Sequence, residues 1–167
     1  MIEFKKPQIS VTEINDTTAQ FVVEPLERGF GYTLGNCMRR VLLSSLPGAA
    51  VTSFRIEGVD HEFTSIRGVR EDATDIILNI KSLVLKANGE PDAVLTLSAK
   101  GPKTVVAGDI TCPAGIEVLN SDMEIATLNK TGKIEAEFIV EKGRGYSSSE
   151  RNKNAADPIG VVPIDSI

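Results

Sequence analysis

The sequence is poor in the residues from which metal centres and disulfide frameworks are built. Its 167 residues include one histidine, two cysteines and no tryptophan. Cys37 and Cys112 stand far apart, without the close partner of a CxxC motif, so we expect reduced thiols and no disulfide framework. With His61 as the only histidine, a zinc cage has almost no ligands to draw on. The sequence therefore predicts a protein without a metal or a cofactor.

Long apolar runs and an excess of positive charge are also absent. No stretch approaches the roughly 20 apolar residues of a membrane-spanning helix, and the N-terminal stretch MIEFKKPQIS has no apolar segment typical of a signal peptide. The 23 acidic residues outnumber the 18 lysines and arginines, which gives a formal net charge of -5. This balance disfavours direct binding of DNA. We expect a cytoplasmic protein that is not embedded in a membrane.

Alternating apolar and polar side chains predict strands on either side of one helix. The stretch AQFVVEPL (19–26) predicts a half-buried strand that ends at its proline. The stretch VTSFRIEG (51–58) predicts another strand, with Phe54 and Ile56 on one face. From Gly58 onward the sequence predicts mostly β-strands.

The second part of the sequence predicts further strands around one more helix. Apolar residues occupy every second position of AVLTLS (93–98) and IEAEFIVE (134–141). A helix is predicted within EDATDIILNIKS (71–82), because its isoleucines share one face. The Gly-, Ser- and Asn-rich segment 143–160 predicts a mobile polar loop. The apolar run VVPIDSI (161–167) follows it, and because termini are usually polar we expect the molecule to continue.

The stretch LERGFGYTLGNCMRRVLLSSLPG (26–48) predicts one amphipathic helix. Thr33 is placed as the N-cap, since its hydroxyl can accept a hydrogen bond from an early N–H, and Pro47 and Gly48 end the helix. At about 100° per residue, an apolar stripe forms along one side. This stripe consists of Leu34, Cys37, Met38, Val41, Leu42 and Ser45.

The opposite side of this helix carries Asn36, Arg39, Arg40 and Leu43, with the leucine between the two arginines. One interpretation is a solvated helix face, because single exposed apolar residues are common. The other is a protein interface, because arginines beside an apolar residue are typical of interface hot spots and can bind carboxylates in a bidentate manner. The residues by themselves leave both interpretations open.

Gly29, Gly31 and Gly35 lie between the first predicted strand and this helix. Glycines at a helix start can place backbone N–H groups on a phosphate, which would suit a nucleotide-binding enzyme. The spacing G-x-G-x-x-x-G, however, fits neither the Rossmann fingerprint nor the P-loop, and no lysine follows Gly35. We therefore expect tight turns and close backbone packing. The nucleotide-binding enzyme remains the alternative function.

Other polar clusters give weaker signals. The cations Lys142, Arg144, Arg151 and Lys153 are interpreted as part of a solvated loop, with a nucleic-acid-binding module as the alternative. His61 precedes a glutamate, but neighbours in an extended segment point to opposite faces. A nucleophile, a base and an orienting group cannot be placed together, so the sequence predicts no catalytic residues.

The stretch 26–48 resembles the signature of the N-terminal assembly domain of bacterial RNA polymerase alpha subunits. The resemblance continues through VDHEF, GVREDATDIILNIK and GRGY and so covers essentially the whole chain. It implies an α+β fold in which a dimerisation subdomain with the signature helix is interrupted by a mostly β insert. The implied division is 1–49 for the dimerisation subdomain, 50–160 for the insert and 161–167 for the start of the return.

The resemblance also implies a function and its residues. In that family two alpha chains dimerise, the dimer captures the beta subunit and beta-prime then joins, so this chain is expected to be a non-catalytic scaffold whose partner subunits carry the catalysis. Arg40 is implied as the principal beta contact and Leu43 as its companion. Arg39 and Asn36 are their neighbours. The dimer interface or the adjoining core is implied at Phe30, Leu34, Val41 and Phe4.

Family members extend beyond VVPIDSI. They continue with a segment that completes the dimerisation subdomain, then a linker and a small domain that binds promoter DNA. The resemblance therefore implies a truncated chain, from which no direct DNA binding is expected.

Overall fold

A computed structural model describes residues 6–15, 17–59, 61, 63–89 and 92–167. Over this part of the chain the structure is mostly β, with few helices. The chain forms two compact units. The first ends at Leu43 and the second runs from Ser44 to Ile167.

The first unit consists of a β-hairpin and a helix. Strand β1 (Gln8–Asn15) pairs antiparallel with β2 (Thr18–Glu24), and helix α1 covers Phe30–Ser44. The strand predicted at 19–26 is confirmed, but the expectation that it is half-buried is wrong, because nearly all of its residues are exposed. Two strands and one helix provide too little surface to bury the apolar face of a hairpin.

Helix α1 begins earlier than the sequence indicates. Its first residue is Phe30, whose N–H donates to the carbonyl of Glu27 at 3.1 Å, so Thr33 lies inside the helix and is not its N-cap. The preceding Gly29 has a φ of 95°, a left-handed conformation that glycine adopts without a steric penalty. The helix ends at Ser44, before Pro47, which opens the next strand.

The second unit contains the remaining elements. In chain order they are β3 (Pro47–Ile56), α2 (Ala73–Lys81), β4 (Leu85–Ala87), β5 (Ala93–Lys100), β6 (Lys103–Val106), β7 (Ile116–Val118), β8 (Glu124–Leu128), β9 (Lys133–Arg144), α3 (Ser149–Asn152) and β10 (Val161–Pro163). The main sheet has the order β5-β9-β3-β4-β7, and β10 pairs antiparallel with β3. Strands β6 and β8 form a separate antiparallel pair.

The core of this unit lies on one face of the main sheet. Phe138 in β9 is opposite both Phe54 in β3 and Leu95 in β5, and all three side chains are fully buried. Helix α2 adds the buried Ile76 and Ile80. The strands predicted from alternation at 51–58, 93–98 and 134–141 and the helix predicted at 71–82 are therefore confirmed.

The polar segment 143–160 is more ordered than predicted. Strand β9 continues to Arg144, and α3 lies within the segment. The side chain of Asn152 accepts from Ser147 Oγ at 2.7 Å and donates to the Ile164 carbonyl at 2.7 Å. The backbone N–H of Ser149 donates to Asp165 at 2.8 Å. Polar side chains that suggested a solvated loop instead tie it to the residues after β10.

The predicted division into 1–49, 50–160 and 161–167 remains a prediction. Strand β10, at the start of the last range, pairs with β3 inside the second unit. In the part of the chain that the structure describes, no helix is long and apolar enough to cross a membrane.

Candidate protein interface

One side of α1 presents the residues that the resemblance implies for a partner. On a helix, residues three and four positions apart are neighbours, so Asn36, Arg39, Arg40 and Leu43 lie along one side. All four are exposed, and 58% of Leu43 is accessible. The structure thus brings an exposed leucine together with two exposed guanidinium groups and one amide.

The other side of α1 is less buried than an apolar stripe suggests. Leu34 is half-buried, whereas Phe30 is 56% exposed and Val41 is 52% exposed. None of the residues of α1, all of which the structure describes, is fully buried. The division of this helix into a core face and a partner face therefore stays a prediction. Phe4 lies outside the described residues.

An apolar groove of about 530 Å³ lies within the first unit. Both strands of the hairpin and α1 contribute to its walls. Its lining residues are Pro7, Ile9, Phe21, Val23, Leu26, Phe30, Thr33, Leu34, Cys37 and Met38. A contiguous apolar surface of this kind typically marks an interaction site.

Two residues of this groove, Phe30 and Leu34, were singled out by the resemblance, but Ile9 was not. Ile9 is 69% exposed and lies in β1. Its signal was present in the sequence, because Ile9 and Val11 occupy every second position of QISVTEIN, the pattern of a strand with one apolar face.

The glycines do not form a phosphate cradle. Only Gly29 precedes α1, while Gly31 and Gly35 lie inside the helix, where the backbone follows the helical path instead of a loop. Apart from chain neighbours and the backbone of the helix itself, the described residues place no atom within 4 Å of the position that a Cβ would occupy at any of the three. The tight turn predicted here is confirmed at Gly29, but the close backbone packing is not found at Gly31 or Gly35. The nucleotide-binding alternative has no support.

The thiols and the histidine lie in unremarkable surroundings. Both cysteines are free, with Cys37 exposed and Cys112 partly buried, and burial raises the pKa of the Cys112 thiol. His61 Nδ1 lies 3.3 Å from the backbone nitrogen of Phe63 and 3.2 Å from Thr64 Oγ1, so this ring nitrogen bonds within its own turn. Among the described residues, no group of three or more His, Cys, Asp and Glu side chains could hold a metal ion.

One member of the basic cluster has an intramolecular role. Lys142 Nζ donates to the carbonyl of Gly89 at 2.6 Å. Arg144, Arg151 and Lys153 are exposed. This arrangement fits a solvated surface better than a continuous phosphate-binding stripe.

Comparison with known proteins identifies the family. Residues 54–167 match the RNA polymerase Rpb3/RpoA insert domain. Over its whole length the chain is 57% identical to the DNA-directed RNA polymerase subunit alpha of Alkaliphilus metalliredigens, 56% to that of Desulfitobacterium hafniense and 54% to that of Carboxydothermus hydrogenoformans. The matched parts make up 54%, 54% and 53% of those proteins, so the chain spans about half the length of these curated relatives. The resemblance is therefore confirmed, and the chain belongs to the bacterial RNA polymerase alpha-subunit family, with the insert domain at residues 54–167.

Proposed function

We propose that this chain is a non-catalytic scaffold for the assembly of bacterial DNA-directed RNA polymerase in the cytoplasm. In this proposal two copies dimerise, the dimer binds the beta subunit through α1, and beta-prime joins afterwards. The first unit is the α+β dimerisation subdomain, and α1 is its amphipathic signature helix. The observation that carries the proposal is the exposure of Arg40 and Leu43 together on one side of α1.

The beta contact is proposed at Arg40 and Leu43, with Arg39 and Asn36 beside them. An exposed leucine gains free energy when a partner removes it from water. A guanidinium group next to it can bind a carboxylate through two parallel hydrogen bonds, which fixes the orientation of the partner. An apolar anchor beside an arginine is the composition typical of binding hot spots.

The dimer interface is proposed on the opposite side of α1, at Phe30, Leu34 and Val41. Phe30 and Leu34 also line the apolar groove, whose surface a second copy would cover. Phe4 belongs to the same proposal on the strength of the resemblance alone. Removing this apolar area from water supplies the driving force for association.

Catalysis is assigned to the partner subunits. Nucleotidyl transfer depends on bound metal ions and on groups that position the phosphates. The family resemblance implies that these ions and groups belong to the partner subunits. The contribution of this chain is then to hold its partners in place.

The main experiment measures binding of the purified beta subunit by the full chain and by its Arg40→Ala variant. Truncation of an interface arginine typically costs about 2 kcal/mol, so we expect binding to weaken about thirtyfold. Arg151→Ala is the matched control, because Arg151 is an exposed arginine on α3 in the second unit. It should bind beta as the unchanged chain does.

Two further results decide the role of Arg40. Arg40→Lys keeps the charge but loses the planar pair of donors, so a bidentate contact predicts a clear loss of affinity. Binding by Arg40→Ala that equals binding by Arg151→Ala would contradict the proposed site. A chain that fails to capture beta even without substitution would contradict the scaffold role for these residues.

Dimerisation has its own matched test. Val41 in α1 and Val94 in β5 are both 52% exposed, so Val41→Glu and Val94→Glu add the same charge at equally accessible positions. Because a buried unpaired carboxylate is costly, Val41→Glu should shift the chain toward monomers in analytical ultracentrifugation, whereas Val94→Glu should not. Equal behaviour of the two variants would remove Val41 from the dimer interface.

A further inference from the structure

Strand β8 in the second unit is paired along one edge and covered along the other. Its first edge bonds to β6. On the second edge, the backbone N–H of Arg70 donates to the carbonyl of Thr127 at 3.0 Å, and the N–H of Asn129 donates to the carbonyl of Gly68 at 2.9 Å. Residues 68–70 therefore take the place of a neighbouring strand, with Val69 and Leu128 as the bridged pair.

Next to this segment, the carboxylate of Glu71 forms hydrogen bonds along the same edge of β8. The backbone N–H of Thr127 donates to Glu71 Oε2 at 2.6 Å, and its hydroxyl donates to Glu71 Oε1 at 3.0 Å. Arg70 Nη2 lies 2.6 Å from the same Oε1, and the Glu71 side chain is only 12% exposed. A regular antiparallel partner would offer a backbone carbonyl to Thr127, and Glu71 supplies the acceptor instead.

Two residues earlier in β8, the side-chain amide of Asn79 forms a hydrogen bond to the backbone of Ile125. Nδ2 of Asn79, which lies on α2, donates to the carbonyl of Ile125 at 2.9 Å. The pairing of β8 with β6 shifts register between Glu124 and Ala126, so the strand is irregular at Ile125. Glu71 thus occupies a backbone donor of β8, and Asn79 occupies a backbone acceptor at this irregularity.

We propose that Glu71 and Asn79 guard the edge of β8 against strand addition by β8 of a second copy of this chain. The sequence of the strand, EIATL, has β-branched and apolar residues and no proline, which favours pairing when an edge is open. Identical strands can pair antiparallel about a two-fold axis, so a second copy of the chain offers a matching strand wherever the protein is present. This role goes beyond the proposed scaffold function and does not depend on it.

The experiment compares the full chain with its Glu71→Ala/Asn79→Ala double variant, using Glu117→Ala, an exposed carboxylate on β7, as the control. Amide hydrogen exchange is measured at Thr127 and at Phe138 in the centre of β9, and light scattering gives the mass over a range of concentrations. In the double variant we expect exchange at Thr127 to be at least about tenfold faster, with little change at Phe138. We also expect the mass to rise with concentration beyond that of the control.

Three outcomes would overturn the proposal: unchanged exchange at Thr127, equal acceleration at Phe138, or a mass that follows the control at every concentration. If the double variant does not fold, Glu71→Gln replaces it. This variant keeps the shape and one acceptor oxygen but loses the charge, so exchange at Thr127 should still accelerate, by a smaller factor. An unchanged rate of amide exchange at Thr127 in Glu71→Gln would then contradict the proposed role of Glu71.

Discussion

Phe54 in β3 and Phe21 in β2 show how differently the two units treat the same residue. Both lie in strands predicted from the sequence, yet Phe54 is 0% exposed and Phe21 is 53% exposed. Phe54 belongs to a six-stranded sheet with a buried core, whereas Phe21 belongs to a two-stranded hairpin and lines an open groove beside α1. Alternation therefore predicts a strand and its apolar face but not what covers that face.

The comparison bears on function as well as on folding. The second unit buries a core of large apolar side chains, among them Phe54, Phe138 and Ile76, and its polar segment is held by hydrogen bonds from its own side chains. The first unit leaves Ile9, Phe21 and Phe30 at its surface around an apolar groove. Surfaces of this kind are expected where another chain binds, which supports the proposal that the first unit serves assembly.

The largest expected effect on stability comes from truncating a phenylalanine to alanine in each of the two units. Phe54→Ala should lower the free energy of unfolding by about 3–5 kcal/mol, because it removes a fully buried ring and leaves a cavity. Phe21→Ala should lower it by less than about 1 kcal/mol in the isolated chain, because the ring is already half in water. Urea unfolding of the two variants beside the unchanged chain measures both values. Similar losses would mean that the two units do not differ in the way their burial indicates.

Much of the second unit could be predicted from the sequence, because its pattern and its packing agree. Every apolar position in IEAEFIVE that was assigned to one face is buried, from Ile134 to Val140. The order of the strands was not predictable, since alternation carries no information on which strands become neighbours. The polar segment 143–160 was misjudged because Asn152 and Asp165 use their hydrogen bonds inside the protein instead of in water.

The candidate site followed from the sequence only in part. Helical spacing alone places Arg39, Arg40 and Leu43 on one side of α1, but it does not distinguish a solvated face from an interface, and the interface is a proposal that rests on the family resemblance. Thr33 is a good N-cap residue and predicts a helix that starts at Leu34, whereas the turn at Glu27–Phe30 starts the helix four residues earlier, at Phe30. The groove depends on β1, a strand whose alternation had been overlooked.

A second prediction uses two glycines that share one backbone conformation. Gly58 and Gly68 both have a φ of 81°, but only Gly68 is crowded, since an added Cβ would lie 2.6 Å from the Cα of Gly132. Gly58→Ala should cost about 1 kcal/mol for the left-handed conformation, and Gly68→Ala should cost about 1–3 kcal/mol more. Thermal unfolding compares the two. Equal costs would show that the backbone contact between Gly68 and Gly132 relaxes freely.

A third prediction concerns the response of the second unit to acid. Burial by itself would raise the pKa of Glu71, but hydrogen bonds from the backbone and hydroxyl of Thr127 and from Arg70 lower this pKa below its usual value of 4.5. Since the folded-state pKa is lowered, the stabilisation is present above pH 4.5 and is lost as the pH falls through the folded value. Glu71→Gln should therefore be less stable than the unchanged chain at pH 6, and the difference should shrink toward pH 3. Parallel stability curves from urea unfolding would contradict this assignment.

The smallest expected effect lies in the first unit, at Gly35. Gly35 is inside α1, and apart from the helix's own backbone the described residues place no atom within 4 Å of the position of a Cβ. Gly35→Ala therefore adds a helix-favouring residue without a clash. The gain should be about 0.5–1 kcal/mol, which slows amide exchange in α1 about two- to fivefold. Faster exchange would mean that the space at Gly35 is needed within this unit. A further outcome is that the variant stabilises α1 as expected and still loses dimerisation or capture of beta. In that case the open space at Gly35 is required for the close approach of a partner. The first unit would then be sparsely packed because a partner chain fills this space.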